Sequence, residues 1–372
     1  MKMRSPRRRS RRRLLAWGGA GALGVLGLIA VGGALSIGKS APREGPPPAT
    51  AAPTPTPVPS GQRLIFTYYF YWYDAATGAH LQEADGLRYH FPAQPLVSWA
   101  NPAWHAKQLS DMRWAGINVA LPVYWGHDRP QDAWSWQGLD VLAKTWRGLQ
   151  REGSDPPRIG MFLDTTIVAG RNLTSADGKR WFYSNFHDFF TRIPREAWAL
   201  VDGRPVAFLF TSDWTAAMDQ TTFDAVSDQF QRDFGARPYI VREVSWDYPI
   251  LRWENGVRVR DYTRAILTDN SYLWDAAAHG FVDRGGVAEV GPGYDDHLVP
   301  GRGAGTVMSR ENGAFYRRAF AAAISSGKPL LAIETWDELH EGSGIAETVE
   351  YGRQYLEITR DMARQFHAAP GP

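Results

Sequence analysis

Beyond its first sixty residues this sequence predicts a single-domain (β/α)8 barrel. Three observations point there. Eight short apolar runs alternate with helix-period segments over roughly 300 residues, a length typical of that fold. Most of the runs are continuously apolar, as strands covered by helices should be. Acids and aromatics gather at the C-terminal ends of the runs, whereas the N-terminal ends begin mostly with Pro, Arg or Gly. In a parallel barrel the C-terminal end is the open mouth, where active sites are built.

The elements follow in order. Residues 64–74 (LIFTYYFYWYD) read as the first strand and carry Tyr71 and Trp72 toward the mouth. Trp104, Leu109, Met112 and Trp114 have helical spacing, which predicts a helix over 102–115. The run 117–125 is the second strand and ends in Tyr124 and Trp125. A helix over 137–152 leads to a strand at 158–164, ending at Asp164. A helix over 183–199 leads to a strand at 205–211, followed by Asp213 and Trp214. A helix over 221–234 leads to a strand at 238–244, with Glu243 and Trp246 at its end. The sixth strand is read at 264–269, running on to Trp274 and Asp275. A strand at 286–290 opens into Tyr294, Asp295, Asp296 and His297. A helix over 311–326 precedes the last strand, 329–334, and a helix over 345–366 closes the chain.

Composition narrows the function classes. With 372 residues and no cysteine, the chain can bury a large core but cannot hold a disulfide or a thiolate metal site. Its formal charge of +2 hides an asymmetry: residues 1–60 carry ten Lys/Arg and one acid. Setting these aside from the 41 and 39 leaves 31 basic against 38 acidic residues, so the body is negative and not built for nucleic acid. Sixteen tryptophans suit a protein that stacks on sugar rings, though they also suit a large core.

The amino end reads as a targeting segment. Eight Lys/Arg fall within residues 1–13, and Leu14 to Gly38 is uncharged and long enough to cross a bilayer. Ser10-Arg11-Arg12-Arg13-Leu14-Leu15 matches a twin-arginine export signal. Cationic residues before an apolar stretch keep the amino end inside and send the rest outward, to the cell surface or beyond. Cleavage after residues 1–40 and retention as a membrane anchor are both open readings. Residues 41–61, rich in proline, read as a semi-rigid spacer, and 62–368 as the barrel.

The last strand carries the chemistry. The apolar run from Pro329 ends in Glu334-Thr335-Trp336-Asp337-Glu338-Leu339-His340-Glu341-Gly342. Glu338 and Glu341 stand three residues apart and can serve one pocket if the loop curls. Cleaving a glycosidic bond needs one carboxyl group protonated to donate and another ionised to accept. The competing reading is a solvated acidic loop.

This stretch resembles the W-N-E-W-H-E-G…I-E segment of family-99 glycoside hydrolases, the endo-α-mannosidases and endo-α-mannanases, and of related bacterial proteins regarded as glycosyltransferases. Asp337 stands in place of Asn, Leu339 of Trp and Thr348 of Pro. Val290 to Asp296 is similar to that family's S-P-G-Y-D segment. Arg310 to Tyr316 is similar to its R-x-x-G-x-Y-Y, and Trp104-His105 with Met112 to Ile117 to its H-x…M-x-x-A-G-I. The resemblance implies retaining cleavage of α-mannosides without an enzyme-bound sugar. Glu338 would be the base acting on the substrate's 2-hydroxyl, and Glu341 the acid and later the base toward water. It also implies that Glu341 starts protonated, its pKa raised by burial or by Glu334, Asp337 or Glu338.

Around that pair the candidate sugar contacts are Tyr71, Trp72, Tyr124, Trp125, Asp164, Asp213, Trp214, Glu243, Trp246, Trp274, Tyr294, Asp295, Trp336 and His340. For any one tryptophan, core packing is the competing reading. His340-Glu341-Gly342-Ser343-Gly344 lacks the second histidine of a zinc-protease motif. Gly301 to Gly305 has no helix opening directly behind it and is not a phosphate cradle. Asp295-Asp296-His297 has ligand chemistry, but hydrogen bonding explains it equally, so neither metal nor cofactor is expected. The expected partner is an oligo- or polysaccharide, and the expected state a monomer. A non-catalytic carbohydrate-binding protein and a glycosyltransferase-like relative are the alternatives. Export away from cytosolic nucleotide sugars argues against the second.

Overall fold

The structure is a computed structural model and describes residues 63–370 apart from 83–86, 88–89, 94–96 and 256. The targeting segment and the proline-rich spacer lie outside the described residues. Among those described, no helix is long and apolar enough to cross a membrane.

Eight parallel strands form a nearly closed barrel. They are β1 (Leu64–Tyr69), β2 (Val119–Tyr124), β3 (Met161–Leu163), β4 (Arg204–Leu209), β5 (Tyr239–Glu243), β6 (Asn270–Tyr272), β7 (Val287–Val290) and β8 (Leu330–Ile333). Their order around the sheet is β6-β5-β4-β3-β2-β1-β8-β7. At the seam between β6 and β7, the Gly286 N–H donates to the Ser271 carbonyl at 2.9 Å. Gly285 allows that approach: its φ is +73°, and a Cβ there would sit 2.4 Å from the same carbonyl oxygen.

The helices are α1 (Pro102–Trp114), α2 (Ala133–Arg151), α3 (Ala176–Arg192), α4 (Gln220–Phe234), the single-turn α5 (Ala276–His279), α6 (Ala314–Ser325) and α7 (Gln354–Ala368). Local chemistry sets their starts. Asn101 caps α1, and Pro102 occupies its first turn, where a missing N–H costs nothing. Ser175 accepts from the Gly178 N–H and starts α3 before residue 183, where periodicity alone placed it. Asp219 and Thr222 form a reciprocal cap on α4.

Two sequence readings need correction. The sixth strand is Asn270–Tyr272 and not 264–269. In the latter stretch only Ile266 turns inward, whereas Leu267 is largely exposed. The Asp269 carboxylate accepts the Ile240 N–H at 2.9 Å and pairs with Arg204, which holds it at the strand's entrance. In place of a crossover helix between β5 and β6 there is an antiparallel hairpin, Ile250–Glu254 with Val257–Arg260. The last helix starts at Gln354 and not at 345. The N–H groups of Ile345 and Ala346 both return to the Trp336 carbonyl, at 2.9 and 2.8 Å, and hold this segment in the mouth.

Aromatic rings fill the barrel. Phe66 and Phe208 meet with ring centres 5.3 Å apart, and Tyr68 and Phe162 at 4.6 Å. Burying each such ring contributes about 1.5–3 kcal/mol. The packed interior is a solid floor, so the strand ends above it are the only part of the barrel a ligand can reach through the mouth.

Candidate active site at the C-terminal mouth

The loop leaving β8 is cross-braced over the mouth. The Trp336 N–H donates to the Tyr68 carbonyl at 2.8 Å, tying the loop to β1. The Thr335 N–H donates to the Ser343 carbonyl at 2.9 Å, and the Thr335 hydroxyl accepts the Glu338 N–H at 2.8 Å. The Tyr73 hydroxyl donates to the Asp337 carbonyl and accepts the Leu339 N–H, each at 2.9 Å. The turn is closed by Arg310, whose guanidinium is stacked against Tyr351 and Tyr355. It donates to the carbonyls of Gly342 and Gly344 at 2.7 and 2.8 Å. Gly342 has φ +54°, and a Cβ there would lie 2.8 Å from Nε2 of His90. Only glycine lets the chain pass between His90 and the acids.

This bracing sets the two glutamates in different surroundings. Glu338 is buried. Its Oε1 accepts from the His340 N–H at 3.1 Å and lies 3.2 Å from His340 Nδ1, while its Oε2 has no partner within the protein. Glu341 is largely buried and paired with Arg302. Its pKa is raised to about 7, first by loss of water and then by the nearby Glu338 carboxylate. Arg302 and the Tyr294 hydroxyl pull the other way and keep it within reach of neutral pH. Glu341 therefore keeps a proton at pH values where an ordinary glutamate has lost it.

More carboxyl groups lie below. Glu334 accepts the N–H groups of Asp275 and Ala276 at 3.0 and 2.7 Å, yet burial and the Asp275 charge raise its pKa to about 8. Glu289 in β7 accepts from the Tyr68 hydroxyl, and burial drives its pKa up. Asp337 accepts the Phe70 N–H at 2.7 Å, and burial likewise raises it.

The candidate contacts divide into two groups. Tyr294, Asp295 and His340 lie with the glutamates. The Asp295 N–H donates to the Glu341 carbonyl at 2.7 Å, and the His340 ring lies over Tyr73, centres 5.8 Å apart. Trp72 stacks on His80 at 5.0 Å and meets Trp125 edge-on at 6.1 Å, forming an aromatic wall beside them. Trp274 lies flat on Phe162 at 5.7 Å, at the floor. Asp164, Asp213, Trp214 and Glu243 end β3, β4 and β5, on the other side of the ring.

The second group is enclosed in packing. Tyr71, Tyr124, Trp246 and Trp336 are fully buried and cannot stack on a ligand from solvent. Their polar atoms are committed within the protein: Tyr71 to the Ser135 carbonyl, Tyr124 to Asp188, Trp246 to the Phe210 carbonyl and Trp336 to Gln108. A run such as YFYWY alternates its side chains, and these positions fall on the outward side, packed against the surrounding helices. Asp295 and His297 hydrogen-bond each other, and Asp296 pairs with Arg302 at 3.0 Å. Among the described residues no group of three or more His, Asp or Glu is arranged to hold a metal ion.

Sequence reasoning missed Arg302 and Arg310. Arg302 lies in the glycine-rich segment dismissed as a phosphate cradle. Arg310 enters the sequence reading only as part of a similar motif. A basic residue among glycines, just after an acidic strand end, is the signal that would have pointed to the first.

The family model described as "Domain of unknown function (DUF5010)" matches residues 66–370. The chain belongs to that family. Among curated proteins none matches it. Solved structures do. This DUF5010 chain is similar to the GH99 endo-alpha-mannosidase from Bacteroides thetaiotaomicron in complex with bis-tris propane, at 18% identity and a TM-score of 0.60, covering 81% of this chain and 96% of that one. A second structure of the GH99 endo-alpha-mannosidase from Bacteroides thetaiotaomicron matches at 17% identity and 0.59, over 83% and 98%. A protein described as glycoside hydrolase-like matches at 14% and 0.59, over 84% and 97%. At these identities the likeness is one of fold: a GH99-like (β/α)8 barrel.

Proposed function

We propose that this protein is an extracytoplasmic glycoside hydrolase that cleaves α-linked, mannose-containing glycans in the barrel mouth. One observation carries the reading. A carboxyl group raised to about pH 7 (Glu341) stands in the field of a second carboxylate (Glu338), one of whose oxygens has no partner in the protein. Acid/base cleavage requires this division of roles. The fold shared with endo-alpha-mannosidases supports the choice of sugar, and the arginine-headed amino end supports export.

The chemistry would run in two steps. Glu338 Oε2 takes the proton of the substrate's 2-hydroxyl as that oxygen attacks the anomeric carbon. Glu341 gives its proton to the departing glycosidic oxygen, so the exocyclic bond breaks and a 1,2-anhydro sugar forms. Water then attacks the anomeric carbon, giving a proton to Glu341 while Glu338 returns one to the 2-oxygen. Two inversions leave the configuration retained, and both carboxyl groups are restored. His340 holds Glu338 Oε1, which leaves Oε2 for the sugar. Arg302 and Tyr294 stabilise the ionised Glu341 between the steps.

Incubation with yeast mannan and a panel of aryl glycosides tests the reading, with the product's first-formed anomer read by NMR. Release of the α-anomer supports it. Binding without products would make the protein a lectin, and turnover only with a nucleotide sugar a transferase; either result overturns it.

A further inference from the structure

Opposite the glutamates, β4 and β5 end beneath the hairpin that replaces a crossover helix. Arg258 and Arg260 alternate onto one face of its second strand. Their side chains are only 15% and 13% exposed. Arg260 is fixed by the carbonyls of Ser245 and Tyr248, at 2.6 and 3.1 Å, and by the Ser212 hydroxyl at 3.0 Å. The Arg258 guanidinium lies 4.2 Å from the centre of the Trp253 ring, which is itself held by the Thr215 carbonyl at 2.8 Å. Arg258 Nε is buried without a partner.

The acids nearby do not balance these cations. Asp213 is 3.5 Å from Arg258 and 3.9 Å from Arg260, and its side chain is 48% exposed. A tight charge-assisted hydrogen bond would be about 2.7–2.9 Å. Asp247 is shared by Arg242 and Arg284, at 3.1 and 3.3 Å. Burial holds Glu243 toward its protonated form. Three largely buried guanidinium groups, Arg242, Arg258 and Arg260, with the half-exposed Arg284 beside them, therefore face two carboxylates and one carboxyl group pushed toward neutrality. Largely buried charges are normally matched, so the excess calls for an anion. Beside the pair, Trp214 and Trp253 line a cleft of about 570 Å3 with Gly170, Asn172, Leu251 and Arg252.

We propose that Arg258 and Arg260 form an anion subsite that seats a carboxylate or phosphate borne by the glycan, with Trp214 and Trp253 taking adjoining sugar rings, so that the preferred substrate is an acidic polysaccharide. The inference rests on the mouth being a glycan site. Two preorganised forks can grip one oxyanion, and indole faces suit the C–H face of a sugar.

The test is calorimetric titration of the full chain carrying Glu338→Gln, so that binding is read without cleavage. The probes are a uronic-acid oligosaccharide with its carboxyl-reduced counterpart, and a phosphorylated mannan fragment with its dephosphorylated form. At least one acidic probe should bind about tenfold tighter than its neutral partner, as one charge-assisted contact provides. Which pair shows the difference identifies the anion. The preference should shrink with salt, vanish in Arg258→Gln and return in part in Arg258→Lys. Equal affinity within both pairs, or a preference that survives Arg258→Gln, overturns the inference. A preference found together with no hydrolysis of any glycan by the unmutated protein would sink the hydrolase reading and leave the anion subsite standing.

Discussion

The two sides of the barrel mouth are built on opposite plans. On the side of β7, β8 and β1, acids are buried under a loop tied down by Tyr73, Thr335 and Arg310. There the lack of water raises pKa values and leaves protons on carboxyl groups. On the side of β4 and β5, arginines ride on a hairpin whose tip is exposed: Leu251, Trp253 and Val257 all face solvent. There the arginines keep their charge while burial pushes Glu243 toward neutrality, so positive charge is left in excess. On the proposed reading, one barrel end combines proton chemistry with charge recognition. Enclosure tunes acids, whereas arginines stay charged even when largely buried.

The sharpest break of this contrast removes the acids. Glu341→Gln and Glu338→Gln should each lower kcat on a mannan substrate by about 10^3-fold, in line with general acid–base contributions, while the melting temperature stays close to that of the parent. Comparable loss of activity from Trp253→Ala alone would mean that the chemistry does not sit on the β8 side.

Next in size is the bracing. Arg310→Met removes two hydrogen bonds from a buried guanidinium to the Gly342 and Gly344 carbonyls. It should cost about 3 kcal/mol or more in urea unfolding and reduce kcat as well. A loss below about 1 kcal/mol would show that the loop stands without it.

The proton side gives a third test. Activity should fall as pH rises through about 7, because Glu341 must start protonated. Arg302 favours the ionised form, so Arg302→Gln should move that alkaline limb to higher pH. Stability carries its own signature. Glu334 has its folded pKa raised from 4.5 to about 8, so the folded state keeps a proton that the unfolded chain has lost. Stability from this group is therefore complete below about pH 4.5 and declines as pH rises toward 8. Glu334→Gln should flatten that slope in melting curves recorded between pH 4 and about 8.

The smallest effect belongs to the hairpin. Trp253→Ala should change global stability by about 1 kcal/mol or less, since the ring is half exposed and is held by Arg258 and one hydrogen bond to the Thr215 carbonyl. By contrast, Phe208→Ala in the barrel floor should cost about 3–5 kcal/mol. A large cost for Trp253→Ala would make the hairpin part of the core and blur the contrast between the two sides.

Legibility in the sequence followed the same division. The run 329–334 and its acidic tail could be read directly, because a buried strand and the loop after it are contiguous residues with a plain apolar-to-acidic switch. The sixth strand could not. Asn270–Tyr272 has no apolar run, and its place is set by pairing with β5 and by the glycine seam. Trp336 and Trp246 looked like sugar platforms, as Trp72 and Trp125 did, since composition does not tell which face of an aromatic run is packed. Arg302 and Arg310 reach the glutamate loop from more than thirty residues away in the chain, so a local pattern can mark Arg302 as unusual but cannot say what it touches.

By itself, then, the sequence determined the barrel, seven of its eight strands and the end at which acids collect, because these follow from periodicities of a few residues. Tertiary structure alone decided which carboxyl group keeps its proton, which indoles are reachable and where positive charge is left over. Those properties depend on water excluded and charges brought near by segments remote in the chain, and a side chain has them only once its neighbours have arrived.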